Sequence, residues 1–129
     1  AYTHPLHRPA PAVLPGISVL LDERPHLLHG RRVGLVSHPA AVLPDLTHTL
    51  NALLASGIHV TALFGPEHGF SGAAPDAEAV PDGIDPHYRL PVFSLYGAGF
   101  DPPPEALDLV DKLTDEVMQK IDDILANKP

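Results

Sequence analysis

The sequence predicts an α/β fold: one three-layer domain on a short parallel sheet, closed by a C-terminal amphipathic helix. Three observations point there. The chain has 129 residues, 44% of them hydrophobic, which suits one domain with a modest core. RRVGLVS, IHVTALF and VFSLY are short apolar runs without strict alternation, the pattern of strands covered on both faces. A stretch with leucines at helical spacing separates the first two runs, so strand, helix and strand imply a right-handed crossover and parallel pairing.

The elements follow in order. Pro5, Pro9, Pro11 and Pro15 predict an extended arm over residues 1–15, because proline fixes φ and removes a donor. The domain itself is expected over residues 16–111. In ISVLLDERPHLLHG, the residues Ile17, Leu20, Leu21, Leu27 and Leu28 fit a short helix bent near Pro25 and closed by Gly30. Val33, Leu35 and Val36 make RRVGLVS a short buried strand. Asp45 is expected to cap a helix carrying Leu46, Leu50, Leu53 and Leu54, with Gly57 as its stop. IHVTALF is the second strand. Residues 65–91, rich in Gly, Pro and Asp, form a long connection to a third strand over Val92 to Tyr96.

The end of the chain differs in kind. Up to residue 111 the basic side chains are all arginine, whereas Lys112, Lys120 and Lys128, with the single Met118, lie beyond it. That change marks a seam, with residues 112–129 a C-terminal helix of different origin. Leu113, Val117, Ile121, Ile124 and Leu125 form one apolar stripe, and Glu105, Leu107 and Val110 extend the same helix upstream. The stripe is expected to pack on the domain or on a second copy of the chain. KLTDEVMQKIDDILANK is similar to the closing helix of bacterial ribosome recycling factor, which points to a chimeric or engineered end; the alternative is an ordinary amphipathic surface helix.

Composition narrows the partners. A formal charge of −8 speaks against nucleic acid, whose binding rests on neutralising phosphates with Lys and Arg. Without cysteine there is no disulfide, thiolate nucleophile or thiolate metal site, and the compartment stays open. No run approaches the roughly 18 apolar residues of a membrane span, and the Pro- and His-rich start lacks the apolar stretch of a signal peptide.

GPEHG, from Gly65 to Gly69, holds the one arrangement that chemistry demands and packing does not. It follows a strand, and in an open parallel sheet the carboxyl ends of the strands form the binding crevice. SHPAAV and YGAGF follow strands too, so the three loops share an edge. Gly65 and Gly69 permit backbone angles closed to other residues and Pro66 fixes another, holding Glu67 and His68 at a strand tip. A rigid carboxylate there suits acid or base catalysis. The alternative is that both residues only satisfy backbone groups in a tight turn. His38 beside His68 lacks any metal-binding spacing, so no metal is expected, and Ser37 with His38 makes no nucleophile elbow. The glycines match neither phosphate-binding pattern, and no cofactor is expected.

HGRRVGLVSHPAAV, VTALFGPEHGFSGAAPDAEAVPDGIDPHYRLPVFSLYG and PPPEAL together resemble the amino-terminal half of the bacterial exo-β-N-acetylmuramidases, peptidoglycan-recycling glycosidases, over residues 14–111. The resemblance implies a Rossmann-like half with substrate in a cleft against an auxiliary carboxyl half. It also implies release of N-acetylmuramic acid from non-reducing ends of cell-wall sugar chains. The family's glutamate falls on Glu67 and its histidine on His68, as catalytic residues. Ser37, His38, Glu78, Asp85 and Tyr96 fall where substrate contacts are implied, with Glu78 and Asp85 also candidates for a second carboxylate. The chain departs from the family at SHPAA, at Ser71 in place of an arginine, and at AAPDAE. Hydrolysis by this chain alone is expected to be near background. The alternative is a non-catalytic α/β scaffold or interaction module.

Overall fold

A computed structural model describes residues 13–73, 81–95 and 102–112, with the single positions 115, 119, 123 and 126. The elements are α1 (Gly16–Glu23), a 3-10 turn (Pro25–Leu27), β1 (Arg32–Val36), α2 (Thr49–Ala55), β2 (His59–Gly65), β3 (Gly83–Ile84), β4 (Pro91–Ser94) and α3 (Pro104–Leu107). The sheet runs β1-β2-β4-β3; β1, β2 and β4 are parallel, and β3 is antiparallel to β4. This is the expected α/β architecture, Rossmann-like in its parallel strands.

Local chemistry explains most boundaries. The α1 helix stops at Glu23 because Pro25 cannot donate to the next turn, and the Arg24 N–H makes the last helical bond to Leu20 O at 3.1 Å. α2 starts later than the sequence suggests. Asp45 accepts the Thr47 N–H at 3.0 Å, and this bond holds its carboxyl below the usual range. The result is a tight turn over residues 43–47, in which Leu46 takes a φ of 68° and is 79% exposed. Leu46 therefore does not belong to the helical stripe, and the cap is His48, whose side chain accepts the Leu50 N–H at 3.2 Å.

Two hydrophobic layers flank the sheet. On one face Leu50 and Leu53 of α2 pack with Ile58, Val60 and Leu63, and α1 adds Ile17 and Leu21. On the other, Ala62 and Phe64 meet Ala106 of α3, joined by Phe93, Leu109 and Val110. One strand serves both faces through a register shift: Val33 pairs with Val60 but Gly34 with Ala62, leaving Thr61 as an extra residue. The Thr61 hydroxyl donates to Leu109 O at 2.6 Å and ties the segment after α3 to the sheet.

β1 is less buried than its apolar run suggests. It is an edge strand, and Val36 is 61% exposed. The single helix expected from Glu105 onward is interrupted: α3 ends at Leu107, and residues 108–112 are not helical. The edge of β1 captures the chain there. Asp111 N–H donates to Arg32 O at 2.9 Å, while the Asp111 carboxylate accepts the Arg32 N–H at 2.7 Å and Nε at 3.2 Å. Residues 115, 119, 123 and 126 are helical and exposed, on the wheel face opposite the apolar stripe read from the sequence. Leu113, Val117, Ile121 and Leu125 lie outside the described residues.

Candidate functional site

The β2 strand delivers the GPEHG turn to the carboxyl edge of the sheet. Gly65 closes the strand, and its carbonyl accepts the Leu95 N–H at 2.8 Å, so the chain leaving β4 starts beside it. The Gly69 N–H donates to Pro66 O at 2.9 Å, closing a four-residue turn with Glu67 and His68 at its tip, both exposed. His68 has a φ of 69° and Gly69 a φ of 77°. A positive angle at the third position of a turn is usually given to glycine or asparagine, so a histidine held there carries local strain. Gly65 is needed for another reason: a Cβ on it would stand 2.3 Å from Phe70 N and 2.9 Å from Gly69 C. The turn folds back so tightly on the strand end that only hydrogen fits.

The loop after β1 packs against this turn. The Ser37 N–H donates to Phe64 O at 3.1 Å, and Pro39 lies where a Cβ on Gly72 would stand, at 2.7 Å. Ser37 is buried at 4% exposure with its hydroxyl toward His38 O, whereas His38 is exposed and its Nδ1 accepts the Ala40 N–H at 3.2 Å. Thus the structure brings Ser37 and His38 beside the Glu67 loop. Glu78 and Tyr96 lie outside the described residues. Asp85 shapes a turn: its Oδ1 accepts the N–H groups of His87 at 3.0 Å and Tyr88 at 2.7 Å.

His48 was not among the residues singled out from the sequence, yet it organises this region. Because its Nδ1 accepts the Leu50 N–H, the ring hydrogen sits on Nε2 and is donated to His38 O at 2.9 Å. The ring meets Phe70 edge to face, with centroids 5.8 Å apart. One imidazole thereby joins the start of α2, the loop after β1 and the loop after β2. Histidine is no favoured cap, and only its place directly before TLNALLA hints at the role. Among the described residues, no three His, Asp or Glu side chains gather as a metal-binding group.

The family model described as exo-beta-N-acetylmuramidase NamZ, N-terminal, matches residues 33–124. The chain belongs to this family. Peptidoglycan beta-N-acetylmuramidase NamZ of Bacillus subtilis (strain 168) is 42% identical over 104 residues, covering 80% of this chain and 25% of that protein. The chain therefore spans about a quarter of that relative's length. Among solved structures, a DUF1343 family protein from Bacteroides fragilis superposes with a TM-score of 0.66 at 36% identity, over 76% of this chain and 24% of that one. A second DUF1343 protein of the same organism gives 0.56 at 26% identity, over 76% of this chain and 23% of that one. The exo-β-N-acetylmuramidase resemblance read from GPEHG and LPVFSLYG is thus the family relationship, and the matched region of this chain contains the whole turn.

Proposed function

We propose that the chain is the Glu67-bearing amino-terminal portion of a peptidoglycan exo-β-N-acetylmuramidase, acting on terminal N-acetylmuramic acid of cell-wall sugar chains. The observation that carries this reading is the turn itself, a strained tip presenting Glu67 and His68 to solvent at the strand ends. Glycoside hydrolysis needs a proton delivered to the leaving oxygen and a second group on the opposite side of the sugar. Glu67 is assigned the proton transfer and His68 the supporting role, with Ser37, His38, Asp85, Glu78 and Tyr96 as sugar contacts or, for the two carboxylates, second acid–base candidates. Both tip residues stand exposed, and water in an open site screens the charges that develop during reaction. The chain alone is therefore proposed to bind muramic sugars weakly and to hydrolyse them near background.

The change from Arg to Lys at Lys112 supports a C-terminal helix of separate origin, although the family match runs across it to residue 124. A second reading, a non-catalytic interaction module or homo-oligomer, is favoured by the edge position of β1, where a largely apolar hollow of about 660 Å³ runs past Val36, Phe64 and Leu107. NMR titration with the methyl β-glycoside of N-acetylmuramic acid separates the two. The muramidase reading expects amide shifts at Glu67, His68, Gly69 and residues 37–41. A sugar that leaves those amides unmoved would contradict it.

A further inference from the structure

Beside the Glu67 turn lies a hollow of about 340 Å³ that the acid–base chemistry does not use. Its described walls come from every loop of the site: Pro39 after β1, His48 and Asn51 at the start of α2, Phe70 and Ser71 after the GPEHG turn, and Asp85 with Tyr88 before β4. Its size falls within the range of small-molecule pockets. Two features define what it accepts. One wall is aromatic and rigid, since both nitrogens of His48 are committed and its ring is braced on Phe70. The opposite side is polar with spare capacity. The Tyr88 hydroxyl donates to Asn51 Oδ1, which leaves the Asn51 amide N–H groups available. Asp85 commits Oδ1 to its own turn, and the Ser71 hydroxyl is exposed.

An apolar ring wall facing amide donors and carboxylate acceptors suits a pyranose, which presents C–H groups on its face and hydroxyls on its rim. Charge then selects among sugars. No Lys or Arg is among the described lining residues, and Asp85 brings a negative charge. An anionic sugar would meet that carboxylate without a compensating cation, at a cost that grows as water is excluded. Muramic acid carries a lactyl carboxylate; N-acetylglucosamine, its neutral neighbour in peptidoglycan strands, does not.

We infer that this hollow binds a neutral N-acetylhexosamine, the uncharged sugar next to the muramic residue at Glu67. The inference rests on the muramidase reading for the identity of that neighbour, and on the hollow alone for neutrality. Asn51 supplies donors to the acetamido carbonyl, Asp85 accepts from a ring hydroxyl, and the His48–Phe70 wall takes the sugar face. Ser71 lies where a cation would reverse the preference.

NMR titration of the intact chain with N-acetylglucosamine and with N-acetylmuramic acid tests this. N-acetylglucosamine should shift the amides of Asn51, Ser71 and Tyr88 saturably, and N-acetylmuramic acid should bind there roughly tenfold more weakly, the scale of one unfavourable charged contact. Asn51→Ala should weaken N-acetylglucosamine by about the same factor with an unchanged melting curve. Ser71→Arg should raise the affinity for N-acetylmuramic acid while leaving N-acetylglucosamine nearly unaffected. Equal or tighter binding of N-acetylmuramic acid to the unmodified hollow overturns the inference, as does absence of shifts at these three residues. If N-acetylglucosamine fills the hollow while muramic glycosides leave Glu67 and His68 unmoved, the neutral-sugar site stands and the muramidase reading falls. Shifts at Glu67 with none at Asn51, Ser71 and Tyr88 would instead remove the neutral-sugar site and leave the muramidase reading standing.

Discussion

Gly65 and Gly69 bracket the same turn for different physical reasons, and single substitutions separate them. Gly69 needs its positive φ of 77°, whereas Gly65 needs its missing Cβ because the neighbours at 2.3 and 2.9 Å are backbone atoms that cannot rotate away. Gly65→Ala should cost about 1–3 kcal/mol, as overpacking of a tight contact does, and should move the amide resonances of Glu67 and His68. Gly83→Ala is the control, since a Cβ there meets nothing within 4 Å and should leave urea stability nearly unchanged. From the sequence, GPEHG was legible as a turn that needs glycine, because Gly, Pro and Gly restrict the backbone in known ways. The strain on His68 was not legible, since nothing in its residue type asks for a φ of 69°.

At the scale of elements, the three parallel strands and both longer helices were legible because apolar spacing survives in the sequence. β3 was not, as two residues carry no period. The start of α2 falls later than its sequence signal because Asp45, a favoured cap, closes a turn two residues on and leaves the helix to His48. His48→Ala should lower stability by about 1–2 kcal/mol, with His48→Asn restoring most of it, as measured by urea unfolding. The break after α3 depends on a long-range clamp. The bond from the Arg32 backbone N–H holds the Asp111 carboxyl below its usual range. The folded state thus favours the ionised form, so the clamp's contribution is complete above the ordinary carboxylate range and fades as pH falls through the lowered value. Asp111→Asn should reduce the melting temperature at neutral pH, and the difference should close in strong acid. A difference independent of pH would show that the carboxylate charge is not what holds the segment to β1.

For the whole molecule, the sheet acts as a platform whose two faces are packed by separate clusters while its carboxyl edge carries the site. The family and the edge that carries the candidate site were legible because GPEHG and LPVFSLYG lie at strand tips. The meeting of His48, Phe70, Asn51 and Tyr88 was not, because they come from segments distant in sequence and only the folded sheet brings them together. The central claim is that Glu67 is the reacting group of a muramidase site. Its most direct measurement is release of the chromophore from a chromogenic β-glycoside of N-acetylmuramic acid by the unmodified chain and by Glu67→Gln, at high protein concentration with melting curves recorded in parallel. The account predicts slow release just above buffer from the unmodified chain, on the order of a hundredfold or more below a well-aligned site, and none from Glu67→Gln at unchanged stability. Release that persists undiminished in Glu67→Gln would contradict it.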